Sequence, residues 1–153
     1  MSPTKTILAS TVLCLLPVGA ARSAAEPVSR LHHARSLRCN FTAVAMTQWK
    51  DGRRAITNES VHEASITYDS IDPRKGMGRI IGNLGAGDVS VRYDAFGALW
   101  ILETTPAGLL NVSTVFPMYA EGTDAFIIIE DRHSAVGTSI LAEQSSGTCT
   151  ILE

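Results

Sequence analysis

Short runs in which apolar and polar residues alternate dominate the chain from residue 39 onward. Phe41, Ala43 and Ala45 alternate with their neighbours, and this places every second side chain on one face of a strand. Similar runs recur between turn residues along residues 66–71, 89–93, 110–116, 126–129 and 138–143. The spacing predicts an all-β domain of about 7–9 strands, arranged as a single antiparallel sandwich or up-and-down barrel.

The turn residues sharpen this prediction at particular places. Lys50-Asp51-Gly52 predicts a tight hairpin, with residues 55–57 pairing back across it. Residues 98–105 are largely apolar, which predicts a central strand buried on both faces. Two segments, residues 58–64 and 118–124, lack the strand pattern and are expected to form a helical turn or a long loop.

Residues 1–25 predict a cleavable secretory signal that forms a helix ahead of the β domain. The start is polar and carries Lys5, residues 7–21 are nearly all apolar, and small residues follow. Ser23 and Ala25 have the small side chains that signal peptidase requires, which favours cleavage after Ala25. Cleavage two or four residues earlier is an alternative.

No membrane span is expected after cleavage. Residues 7–21 of the signal are themselves not expected to span the membrane. This apolar run contains Pro17 and Gly19 and is shorter than the roughly 20 residues that a spanning helix needs. The sequence therefore predicts a secreted or periplasmic protein. Residues 26–38 are basic and are expected to be a flexible lead-in or to include a short helix near residues 29–36, while residues 39–153 form the β domain.

Charge narrows the choice of partners. Removal of the signal takes away two of the 13 Lys and Arg residues and none of the 15 acids, which leaves a formal net charge of −4. A nucleic-acid-binding domain usually carries a basic patch. We therefore expect no nucleic-acid partner, and oligomeric state does not follow from the sequence.

The cysteines predict one structural bond. Cys14 leaves with the signal, so Cys39 and Cys149 remain as an even pair. An even pair in an exported protein favours a disulfide, which here would tie the first strand to the last. The alternative is two unpaired buried thiols.

Residues 130–134 form the densest polar cluster. Alternation along a strand places Asp131 and His133 on one face and Arg132 on the other. Asp131 in this position would orient the His133 imidazole for a small hydrolase that uses a nearby serine. The chain has no GxSxG motif, and the competing interpretation is a strand end held by ion pairs.

Trp49 and Arg132 form a candidate binding pair. A Trp early in the chain that packs on an Arg from a late strand resembles the closing device of lipocalin-like barrels. Thr47 stands where that arrangement has glycine. The alternative is that Trp49 and Trp100 pack in the core.

Metal and phosphate sites are not predicted. His32, His33 and His62 lack the spacing of metal ligands. The glycines of residues 78–87 lack the phosphate-loop pattern and precede no long helix. We therefore expect no metal site and no cofactor.

Several short motifs carry a resemblance that spans most of residues 39–150: Gly78-Arg-Ile-Ile-Gly82-Asn, Glu103-Thr-Thr with Gly108 and Asn111, Thr114-Val-Phe116, Arg132-His133 and Gly147-Thr-Cys149. In these motifs the chain resembles small exported bacterial β-rich proteins of unknown function. The resemblance implies a periplasmic or secreted β domain and implies no reaction or ligand. Asp131 stands where the family pattern has serine, which argues against catalytic use of that position.

These observations favour a non-enzymatic exported β domain that binds a small apolar ligand or a protein partner. The expectation depends on an apolar-rich β domain that carries no complete catalytic motif, since small barrels hold ligands in their interior. Two alternatives stay open: a small periplasmic hydrolase that uses His133 and Asp131, and a structural envelope protein.

Overall fold

The computed structural model of the protein describes residues 25–83, 85–105 and 108–152, apart from the side chains of residues 61–63 and 136. The predicted signal, residues 1–25, lies outside this part except for Ala25. The described residues form one helix and eight strands: α1 Ala25–His33, β1 Leu37–Lys50, β2 Arg53–Asp72, β3 Met77–Gly82, β4 Gly85–Tyr93, β5 Leu99–Thr104, β6 Leu110–Tyr119, β7 Phe126–Val136 and β8 Ser139–Ile151.

The strands form a closed up-and-down barrel. Each strand pairs antiparallel with its neighbour in the chain, and β8 pairs antiparallel with β1. This confirms the predicted all-β antiparallel domain and selects the barrel over the sandwich. None of the described residues forms a helix long and apolar enough to cross a membrane.

The predicted disulfide closes the barrel. Cys39 and Cys149 are bonded and lie directly opposite each other where β1 meets β8. Next to them β1 contains a register shift between Phe41 and Ala43. Gly147 lies against this irregularity, and a Cβ atom there would overlap the Asn40 carbonyl oxygen. The first and last strands therefore meet through a disulfide and a contact that only glycine allows.

Helix α1 covers one end of the barrel. For residues 26–38 a flexible lead-in was the main expectation, with a short helix as the alternative. Leu31 is fully buried and Ala34 nearly so, and both belong to the core. The Tyr93 hydroxyl donates to the Leu31 carbonyl at 2.9 Å, and Ile71 N–H donates to the Arg35 carbonyl at 3.0 Å. The segment is ordered because its apolar side chains complete the core, and β1 already begins at Leu37.

The half of the lumen next to α1 is filled by apolar side chains. The core combines residues from the helix and from strands around the whole barrel: Leu31, Ala34, Leu37, Cys39, Phe41, Tyr68, Ile71, Val89, Val91, Leu99, Ile101, Val115, Phe126, Ile128 and Cys149. We call this the capped half. The other half, toward the β1–β2 and β7–β8 hairpins, is the open half.

The expected loop over residues 58–64 is wrong, because β2 runs unbroken from Arg53 to Asp72. The first part of β2 is held by β1, which pairs with it from Lys50 back to Ala43. Residues 51–60 are all exposed, so this hairpin projects beyond the barrel and shows no apolar alternation. The predicted hairpin turn is confirmed, since Asp51 and Gly52 both have positive φ.

Two smaller expectations are also corrected. β5 buries Leu99 and Ile101 but leaves Trp100 half-buried on the outside, because a barrel strand has only one interior face. β6 continues to Tyr119, and only the residues after it form the loop expected over residues 118–124.

Candidate functional site

The lumen changes from apolar to polar at the open half. Four of its side chains lie in one row across the wall, because Glu103 pairs with Asn111, Asn111 with Arg132, and Arg132 with Glu143. The next row toward α1 places Ser113 opposite Glu130. Tyr68 reaches this row from β2. We call the seven side chains the lumen cluster: Tyr68, Glu103, Asn111, Ser113, Glu130, Arg132 and Glu143.

Glu130 is the buried acid of this cluster. Only 5% of the residue is exposed. Its Oε2 accepts from the Ser113 hydroxyl at 3.0 Å and from the Tyr68 hydroxyl at 3.5 Å. The Tyr68 and Ser113 hydroxyl oxygens are themselves 2.8 Å apart. Two neutral hydroxyls therefore hold one oxygen of the carboxylate.

Arg132 joins the buried acid to the rim of the barrel. Its Nε donates to Asn111 Oδ1 at 3.1 Å, and the Asn111 amide donates to Glu103 Oε2 at 2.6 Å. The two other guanidinium nitrogens lie 3.4 Å from Glu130 Oε1 and 3.9 Å from Glu143 Oε1. Both distances exceed the roughly 2.7–2.9 Å of a strong charge-assisted hydrogen bond.

The surroundings of Glu130 raise the pKa of this buried acid. Burial raises the pKa of Glu130, and the carboxylates of Glu103 and Glu143 raise it further, against the lowering effects of Ser113 and Arg132. Burial and the nearby Glu130 charge also raise the pKa of Tyr68, which keeps its hydroxyl a donor. The guanidinium of Arg132 thus lies against the carboxyl groups of Glu130 and Glu143, and Asn111 links it to the third carboxyl group, that of Glu103.

The lumen cluster offers hydrogen-bond acceptors at the open end of the barrel. The described residues contain no group of three or more His, Cys, Asp or Glu placed to hold a metal ion. The carboxylate oxygens of Glu130 and Glu143 that face Arg132 are held only at long distances. A donor group from a small molecule has acceptors there, at the end of a barrel where ligand sites are common.

The candidate catalytic pair lies on the outside of the barrel. As alternation predicts, Asp131 and His133 face away from Arg132, which points into the lumen. Asp131 Oδ1 accepts from the Gln144 side-chain amide at 2.9 Å. Within the described part of the chain, no hydrogen bond joins Asp131 to His133. Gln144 rather than the imidazole is therefore the partner of this carboxylate.

The structure separates the candidate pair Trp49 and Arg132. Trp49 pairs with Ile140, and Ile140 with Ala135, so its ring lies on the outer face of the sheet. The Arg54 guanidinium lies 5.9 Å from the Trp49 ring centre. Neither tryptophan packs in the core, since Trp49 is 43% exposed and Trp100 sits outside with its indole N–H directed at Asp94.

Trp49 instead belongs to an exposed apolar surface. Trp49, Ile56 and Ile140 are 43%, 62% and 58% exposed and lie in adjacent rows of the projecting strands. An open groove of about 250 Å³ beside them includes Ile56 and the polar side chains of Asp131 and His133. We call the three large side chains the outer apolar face.

Sequence reasoning found Arg132 but missed the other members of the lumen cluster. Glu103, Asn111 and Arg132 belong to motifs that carry the resemblance described above, which was the available signal. Tyr68 and Ser113 gave no such signal, because each occupies an ordinary inward position of an alternating strand.

No protein-family model, curated protein or solved structure matches the chain.

Proposed function

We propose that this protein is an exported, non-enzymatic β-barrel that binds a small organic cation at the lumen cluster. The observation that carries the proposal is the charge of the cluster, which contains three carboxyl groups, those of Glu103, Glu130 and Glu143, and one cationic side chain, Arg132. A cationic ligand would offset the excess negative charge and supply the short hydrogen bonds that Arg132 does not make.

Export is supported by two independent features. The first 25 residues have the composition of a secretory signal. The Cys39–Cys149 bond is of a kind that persists in oxidising compartments. We therefore propose a secreted or periplasmic location, in keeping with the resemblance to small exported bacterial proteins.

The position of the cluster argues for a polar ligand in place of the apolar one expected from the sequence. Beyond Glu130 the capped half is filled by large buried side chains such as Phe126 and Ile128. At the rim, the side chains of Arg132 and Glu143 are 39% and 23% exposed. A ligand would therefore bind at the rim, with its charged group directed toward Glu130.

Titration calorimetry with methylguanidinium tests the proposal. We expect saturable binding that strengthens as pH rises through the pKa of Glu130, because ionised Glu130 attracts the cation. Methylurea, a neutral molecule of similar shape, should bind at least about tenfold more weakly, which corresponds to about 1.4 kcal/mol. Acetate should not compete.

Variants locate the binding. Glu130→Gln and Glu143→Gln should each weaken methylguanidinium binding, whereas Glu121→Gln, in an exposed turn between β6 and β7, should leave it unchanged. Equal binding of methylurea and methylguanidinium, or binding insensitive to Glu130→Gln, would refute the proposal.

A second candidate function is binding of a protein partner at the outer apolar face, favoured by the exposure of Trp49 and Ile140. Pull-down from an envelope extract with the Ile140→Glu variant tests it. A specific partner should be lost with Ile140→Glu and retained with Glu130→Gln. Recovery of the same proteins with both variants would count against this function.

A further inference from the structure

In the projecting β1–β2 hairpin, no strand formed by the described residues pairs with the outer edge of β2. β2 pairs with β1 from Arg53 onward, but in the described part of the chain its pairing with β3 begins only at Thr67. Residues 53–60 are exposed. The outward N–H and C=O groups of such an edge form a template for another strand.

Over residues 53–60 this edge has neither a proline nor a β-bulge to block pairing. Residues 53–60 contain no proline, and β2 keeps a regular register with β1 throughout them. Its charged residues are separated by sign: the cations Arg53 and Arg54 begin the segment, and the anion Glu59 lies six residues after Arg53. Arg53 and Glu59 share one face of the strand because their separation is even. An antiparallel copy of the same segment therefore brings opposite charges together.

We propose that residues 53–59 of two copies of this chain pair antiparallel along this edge, forming a dimer with its twofold axis at Ile56. In this register Arg53 lies opposite Glu59 of the second copy, and the same pair repeats on the other side of the axis. Ile56, which is 62% exposed in one copy, lies opposite Ile56 of the second copy. Paired strands thus gain two ion pairs and one apolar pair.

Other registers are less complementary. With Glu59 on the axis, two like charges lie directly opposite each other, which destabilises a strand pair. With Asn58 on the axis, Ile56 lies opposite Ser60, so the apolar pair is lost. In the Ile56 register the turn of the second copy, Asp51 and Gly52, ends beside residues 60–61. It stops before Thr67, where β3 joins the sheet, so the two barrels remain apart.

Charge reversal in the full chain tests the interface. Sedimentation velocity over a concentration series should show a dimer. Arg53→Glu and Glu59→Arg should each raise the dimer dissociation constant about tenfold, because two attractive pairs become repulsive. The double variant, Arg53→Glu with Glu59→Arg, should restore the dimer. A chain that is monomeric at every concentration, or a dimer insensitive to the single reversals, would overturn the proposal.

Cysteine substitution tests the register separately. For a residue on the axis, the Cβ atoms of the two chains are about 4.5–5.5 Å apart. For a residue two positions from the axis, the equivalent residues of the two chains are roughly 14 Å apart along the strands. Oxidation should therefore link Ile56→Cys chains into covalent dimers and leave Asn58→Cys chains unlinked. Faster linkage of Asn58→Cys, or linkage of neither variant, would contradict the proposed pairing. Neither experiment depends on cation binding at the lumen cluster.

Discussion

The capped and open halves of the barrel use the same strands for different purposes. In the capped half, Leu31 from α1 and inward residues such as Phe126 are buried among apolar neighbours. In the open half, the inward positions carry Glu103, Glu130 and Arg132, and β1 and β2 continue into solvent. The two halves therefore differ in what fills their inward positions, which are apolar side chains in the capped half and a polar network in the open half.

Loss of the disulfide, which lies in the capped half, should lower the free energy of unfolding more than any other change considered below. The bond closes a loop of 110 residues, so replacing Cys39 and Cys149 together by Ala should lower the free energy of unfolding by roughly 4–5 kcal/mol. Urea unfolding of the oxidised protein and of the variant measures this difference. An unchanged midpoint, together with free thiols in the native protein, would refute the structural role of the bond.

Truncation of one apolar side chain in each half compares them directly. Leu31→Ala removes a fully buried side chain and should cost about 3 kcal/mol. Ile56→Ala, at an exposed position of the hairpin, should cost less than about 0.5 kcal/mol in the monomer. Urea unfolding at low protein concentration gives both values. Similar costs at the two sites would show that the hairpin packs as tightly as the capped half.

Gly147→Ala tests the seam between the first and last strands. The new methyl group would overlap the Asn40 carbonyl, so the backbone must shift at a cost of about 1–3 kcal/mol. Gly82→Ala is the matched control, since a Cβ atom there meets nothing within 4 Å. Thermal unfolding should separate the two variants. Equal midpoints would mean that β1 and β8 accommodate a side chain at this point.

Glu130→Gln should produce a change in stability that depends on pH. Because the pKa of Glu130 is raised in the folded protein, its contribution to stability is present below about pH 4.3 and is lost as pH rises through the folded pKa. The stability of Glu130→Gln relative to the native protein should therefore increase from pH 4 toward neutrality. Glu121→Gln provides the control for a general charge effect. A difference that stays constant with pH would contradict this assignment.

Sequence reasoning succeeded where a strand buries one face. The alternation around Phe41 and Val91 revealed strands, and the cysteine count revealed the bond that joins the first to the last. It failed over residues 58–64, where the described side chains, those of residues 58–60 and 64, are exposed and give no apolar periodicity to detect. The capping role of α1 was missed because its apolar residues are few and their partners lie far along the chain.

The lumen cluster shows a second limit. Alternation separated Arg132 from Asp131 and His133, so the two faces of β7 were assigned correctly. Alternation alone did not show which of the two faces carries the buried site. Barrel closure decides this, because it brings Tyr68 and Ser113, which are distant in the chain, to Glu130. A local pattern contains no information about such contacts.

The central claim is that the open end of the barrel binds a cation through Glu130. Carbon-13 NMR of the Glu130 carboxyl group, titrated with pH in the absence and presence of methylguanidinium, tests it most directly. Our account predicts a pKa above the usual glutamate value in the free protein and a lower pKa with the cation bound. A Glu130 titration curve that methylguanidinium leaves unchanged would contradict the account.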